Sequence, residues 1–180
     1  MNWSEYKELS EKTLSTEFHC SKQDELLLHA VIGVITELEE LVGWGQDEVN
    51  KKEEVADCFW YMTILDRILD LKFTLPSIEK NYLQVTNDTL IIESYKQSSL
   101  LLDFLKKKLF YNKPIDLEKF SKISTDLFET LLVFCNVNNI NVEEILDTNI
   151  AKLKSRYGDK FSSDKAINRD LQTERAILEK

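Results

Sequence analysis

Apolar positions recur at helical spacing along most of this chain, and the breaks between them mark out a series of helices. Trp3, Tyr6, Leu9 and Leu14 predict a short amphipathic helix over about residues 3–16. Ser21 then reads as the N-cap of a long helix over 22–42, which Gly43-Trp44-Gly45 brings to an end. Asp47 is placed to cap a third helix over about 48–71. Pro76 stands early in a shorter helix ending near Val85, and Asn87-Asp88 punctuates the chain. A helix over 89–110, a loop over 111–114 and a helix over 116–137 follow, then an Asn138-Asn139 break and a helix over 142–157. Gly158 suits the C′ position of that helix, and the polar tail reads as helical from Asp164 onward.

Composition agrees with an all-α chain. Glycine (4) and proline (2) are scarce in 180 residues, which leaves little material for tight turns. A net charge of −9 argues against a protein that coats nucleic acid and against a basic helix lying on a membrane. It does not argue against a nucleotide substrate, because a bound divalent cation reverses the local field. Cys20, Cys58 and Cys135 are scattered, so they read as reduced thiols of a cytoplasmic protein, Cys58 and Cys135 in its core. The acidic, polar first residues do not resemble a signal peptide, and no apolar run approaches the length of a membrane span.

Four acids change the picture. Glu37 and Glu40 on the second helix, and Glu54 and Asp57 on the third, are two i,i+3 pairs, each directing two carboxylates from one helical face. Gly33, Glu37, Glu40 and Trp44 form one stripe with Val34, Leu38, Leu41 and Val42 beside it. Glu54, Asp57, Tyr61 and Ile64 form another, bordered by Val55, Phe59, Trp60 and Met62. An isolated acidic pair of this kind is ordinarily a solvated face. Two pairs embedded in apolar stripes instead predict partly buried carboxylates, which repel one another and call for a compensating cation. Oxygen donors without a soft ligand suit Mg²⁺ or Mn²⁺.

The stretch from Gly33 to Tyr61 resembles the metal signature of the all-α nucleoside triphosphate pyrophosphohydrolases, the MazG-like superfamily that includes the dimeric dUTPases. That signature is E-x-x-E, a spacer, then E-x-x-D, here Glu37, Glu40, Glu54 and Asp57, preceded by His29-Ala30-x-x-Gly33. Thr36 stands before Glu37, where many of these proteins have a second glutamate. The resemblance implies a helical bundle that cleaves a (d)NTP between its α- and β-phosphates to (d)NMP and pyrophosphate, a housekeeping reaction on the nucleotide pool. The four carboxylates would hold the metal, and one of them, or Glu39, would take the proton of the attacking water. Tyr61 is a candidate phosphate contact and Trp44 and Trp60 candidate stacking partners for the base, though each also reads as simple packing. His29 reads as core or as support to the site rather than as a ligand. The family forms dimers or tetramers, so a homodimer is one expectation.

The order long helix, long helix, short helix occurs twice, which suggests an internal duplication. Laying Asp57 over Asp126 and Glu40 over Leu100 puts Gln97, Leu100 and Ile123 where the first copy has Glu37, Glu40 and Glu54. The second copy has therefore lost its acids, and the chain reads as a pseudo-dimer of helical hairpins with one active site. The expected units are 1–86, carrying the acids, 87–160, the degenerate copy packed on it, and a polar tail over 161–180. The second copy retains Asn149, Lys152 and Arg156 on one helical face, expected either as ordinary solvated charge or as ligands for the triphosphate, whose charge exceeds what one or two Mg²⁺ neutralise. Stretches 103–116 and 166–179 also resemble segments of MazG-like proteins.

Other chemistries find less support. No Walker loop, G-x-S-x-G or defensible Cys–His pair is present. A di-iron bundle requires Glu-x-x-His, whereas His19 follows Thr16 and His29 follows Leu26 at that spacing. The alternative from another class is a non-catalytic helical module that senses nucleotides or docks a partner.

Overall fold

The computed structural model describes residues 1–43, 47–75, 85–158 and 160–179, which form eight helices and no strand. They are α1 (Trp3–Glu11), α2 (Lys22–Gly43), α3 (Glu48–Leu69), α4 (Asn87–Tyr111), α5 (Leu117–Val137), α6 (Val142–Tyr157), α7 (Ser163–Ile167) and α8 (Leu171–Leu178). The chain is all-α, and among the described residues no helix is long and apolar enough to cross a membrane.

Side-chain caps start the helices where the sequence places them. Ser21 Oγ accepts from Asp24 N at 3.1 Å while Asp24 Oδ2 accepts from Ser21 N at 2.9 Å, a reciprocal cap on α2. Asp47 Oδ1 accepts from Val49 N and Asn50 N to open α3. Thr86, Asp116 and Asn141 cap α4, α5 and α6 in the same way. Gly158 (φ 67°) ends α6 as its sequence position suggests, and elsewhere, with glycine scarce, the stops fall to other residues. Asp70 (φ 51°), Asn112 (φ 50°) and Asn139 (φ 54°) take the left-handed conformation that short polar side chains tolerate best after glycine.

Helices α2 and α3 form one hairpin and α4 and α5 another; α2 packs on α4 and α3 on α5. The core is a continuous seam. Leu27, Val31, Val34, Leu38 and Leu41 of α2 and Val55, Cys58, Met62 and Leu65 of α3 are all buried. Leu101, Leu105 and Leu109 of α4 and Phe120, Leu127 and Leu131 of α5 meet them. Alternating three- and four-residue spacing keeps such positions on one side of each helix. Ser94, Ser98 and Ser124 are buried within α4 and α5, their hydroxyls satisfied by carbonyls four residues earlier. Cys58 and Cys135 are buried free thiols, as expected.

Two expectations change. Helix α1 ends at Glu11 rather than near residue 16, and none of its residues is buried. The chain after it runs along the end of α4 instead, where His19 N donates to Leu109 O (2.7 Å) and Phe18 meets Phe110 edge to face. The tail is two helices rather than one, because Asp170 accepts from Thr173 N and caps a new start. The short helix expected around Pro76 lies outside the described residues.

Candidate metal centre

Helix α3 packs between its hairpin partner α2 and the later helix α6, so its acidic face is closed from both sides. One carboxylate oxygen from each of Glu37, Glu54 and Asp57 lies within 4.8 Å of the other two. Burial pushes the Glu54 carboxyl up to about 9, with the charges of Glu53, Glu40, Asp57 and Glu37 adding to the effect. Burial likewise raises Glu37 to about 7, helped by the charges of Asp57 and Glu40 and opposed by a hydrogen bond with Glu54 and by the Lys152 charge. These are acids held where ionisation is costly.

Helix α6 supplies the answering polar groups. Asn149 Nδ2 donates to Asp57 Oδ1. Lys152 Nζ donates to Asp57 Oδ2 at 2.6 Å and to Glu53 Oε1 at 3.0 Å. Lys152 is wholly buried, so the solvated-charge alternative for it fails. Burial works against its charge, but Asp57 and Glu53 win, and the ammonium is held more firmly than usual.

Arg156, four residues on, turns elsewhere. Its guanidinium grips the buried Glu174 of α8 with two bonds, at 2.8 and 2.6 Å, and Arg169 adds a second grip at 2.7 Å. Burial raises the Glu174 carboxyl, yet the two arginines outweigh it and hold it down at about 2. Arg175 reaches Asp47, the residue that caps α3, at 2.9 Å. The tail is thus fastened to α6 and to the start of α3.

Glu40 does not join the cluster. It is exposed on the flank of α2 and acts on Glu37 and Glu54 through its charge alone. Glu39 is also exposed, and its charge falls on Tyr95 of α4, away from the acids it was expected to assist. Glu53 takes the place beside Asp57 instead. It precedes Asp57 by one helical turn, a spacing visible in the sequence, but only the buried Lys152 gives it a role.

Tyr61 is half-buried beside the acids, its phenol raised to about 12 by burial first and then by Glu37 and Asp57. A Cβ on Gly33 would come within 2.2–2.3 Å of three of its ring carbons, which explains the glycine four residues before Glu37. Trp60 meets the Tyr61 ring edge-on at 4.9 Å, and His29 meets both rings. His29 is exposed, not core. Trp44 lies outside the described residues.

Oxygen-only donors, two of them raised by mutual repulsion and burial, fit a hard divalent cation such as Mg²⁺ or Mn²⁺. A cleft of about 210 Å³ opens nearby, lined by Glu48, Lys52, Glu53, Glu144 and Asn149 among others. It is smaller than the roughly 300–1,000 Å³ of ordinary ligand pockets and its rim is acidic, so it suits no free triphosphate. No family model, curated protein or solved structure matches the chain.

Proposed function

We propose that the chain is a Mg²⁺-dependent, or Mn²⁺-dependent, nucleoside triphosphate pyrophosphohydrolase of the MazG-like kind, with Glu37, Glu54 and Asp57 as its metal ligands. The observation that carries this reading is the convergence of those three carboxylates across two helices, at a place dry enough to raise Glu37 and Glu54. Bound there, the cation would polarise phosphate oxygens and lower the pKa of an attacking water. Asn149 and Lys152 fix the orientation of Asp57. Lys152 is the cation that α6 brings to the cluster, whereas Arg156 becomes a phosphate ligand only if its pair with Glu174 opens.

The test is incubation of the purified chain with Mg²⁺ or Mn²⁺ and a panel of NTPs and dNTPs, with pyrophosphate and orthophosphate assayed separately. Pyrophosphate release that disappears in Glu54→Gln is the expected result. No release with any nucleotide under either cation would sink the reading.

One observation favours the second reading, a non-catalytic module that senses nucleotides or docks a partner. Lys152 already compensates Asp57 and Glu53 internally, as in a structural ion-pair network. Thermal stabilisation by Mg²⁺ without turnover would select it.

A further inference from the structure

The last two helices stand outside the core. Among the described residues, none of α7 or α8 joins the buried apolar cluster or packs on it. Helix α7 buries no residue and α8 buries only Glu174, with Ile177 and Leu178 half-buried beyond it. Charge holds α8 in place instead. Glu174 sits between the guanidinium groups of Arg156 and Arg169, and next to it Arg175 reaches Asp47 and Asn50. A helix fastened by ion pairs, with little apolar area to lose, opens at low cost once its carboxylate is outcompeted.

The place that Glu174 fills suits an oxyanion. Arg156 gives Nε and Nη2 to its two oxygens, the planar fork that fits carboxylate and phosphate alike. Arg169 gives Nε and Nη2 to Oε2. Positive charge is concentrated here, since residues 152–169 hold six lysines and arginines against two aspartates in a chain of net charge −9. Arg169 also stands 3.9 Å from Glu53 Oε1, the oxygen that Lys152 Nζ meets at 3.0 Å. The Glu174 carboxylate is therefore one arginine removed from the acidic face of α3.

We propose that Glu174 is an internal stand-in for a phosphate group, and that α8 is a strap which a polyphosphate-bearing ligand displaces. A phosphate takes the place of the carboxylate on Arg156 and Arg169, and α8 lifts from α6. The phosphate wins because it brings more charge and a third oxygen to the same guanidinium groups. With the strap closed, Arg156 is withheld from any nucleotide, so the contact is autoinhibitory. The identity of the ligand rests on the proposed function, whereas the exchange itself needs neither metal nor hydrolysis.

The probe is inorganic tripolyphosphate, added to the full-length chain in EDTA. Calorimetry reads binding, and hydrogen exchange over residues 171–178 reads α8. At saturation, protection in that segment should fall about tenfold or more while α2 to α5 keep theirs. Two variants that both free α8 should then part. Glu174→Gln removes the competitor and should tighten binding about tenfold. Arg156→Gln removes the site and should weaken it about tenfold, the effect of one charged hydrogen-bonded pair. Arg169→Gln, at a side chain 37% exposed and so no threat to folding, should weaken it about threefold. No saturable binding to the Glu174→Gln chain, equal affinity in wild type and Glu174→Gln, or binding insensitive to Arg156→Gln would each overturn the strap. So would α8 protection that holds or rises at saturation. Exchange without turnover of any nucleotide would support the strap and count against the hydrolase alone.

Discussion

Lys152 Nζ lies 2.6 Å from Asp57 Oδ2, with the lysine side chain 1% exposed and the aspartate 22%. One buried ammonium thus answers an acidic face to which α3 contributes Glu53, Glu54 and Asp57. Lys152→Met keeps the stem and removes the charge. It should destabilise the metal-free chain by on the order of 3 kcal/mol, because carboxylates in a closed site lose their counter-ion. Urea unfolding measures this, and a loss below about 1 kcal/mol would show that solvent already screens those acids.

The raised Glu54 carboxyl gives stability an unusual slope. It binds its proton more tightly folded than unfolded, so its contribution is complete below about 4.5 and disappears as pH rises through about 9. In EDTA the melting temperature should therefore fall across that window. Glu54→Gln, which keeps the hydrogen-bonding shape without ionising, should flatten the slope. Mg²⁺ should restore the wild-type chain most at the alkaline end, where it replaces the lost proton. Parallel wild-type and Glu54→Gln profiles would count against a proton held at this site.

Glu174 has the opposite sign. Its carboxyl is held at about 2, so the stability it supplies is complete above about 4.5 and is lost as pH falls toward 2. Acid should release α8 ahead of the core, and Glu174→Gln should mimic this at neutral pH. Hydrogen exchange in residues 171–178 reads it directly. Uniform exchange across α8 and α2 during acidification would refute a separate release.

Gly33 and Tyr61 form a size-matched pair. Gly33→Ala should cost about 1–3 kcal/mol, since the new methyl meets the aromatic ring and overpacks the α2–α3 contact. In a Tyr61→Leu background the same change should turn neutral or favourable, by up to about 1 kcal/mol, because alanine favours helix over glycine. A double-mutant cycle measures the coupling. Equal cost in both backgrounds would mean that the glycine serves some other purpose.

The helices and their starts were legible because capping is local. Ser21 and Asp47 and the residues they cap sit within three positions of each other, and Asp116 precedes its helix in the same way. The two acidic helices were legible as well, since i,i+3 spacing fixes their faces. Which acid turns inward was not. Glu37 and Glu40 look equivalent in sequence, but the packing of α2 on α3 turns Glu37 toward Glu54 and Asp57 and leaves Glu40 in water. Glu53 and Glu174 were hidden for a related reason, as their partners Lys152 and Arg156 lie on a distant helix. A polar tail gives no local sign that one of its glutamates is buried.

Helices α6 and α8 come late in the chain, and this orders the burial of charge. The hairpins α2–α3 and α4–α5 are complete in sequence before Lys152, Arg156 and Glu174 are made. Until α6 docks, Asp57 and Glu53 remain hydrated on an open face of α3. The element that expels their water also brings the ammonium that replaces it. The acids therefore pass from solvent to counter-ion in one step, and no folding intermediate has to bury them bare.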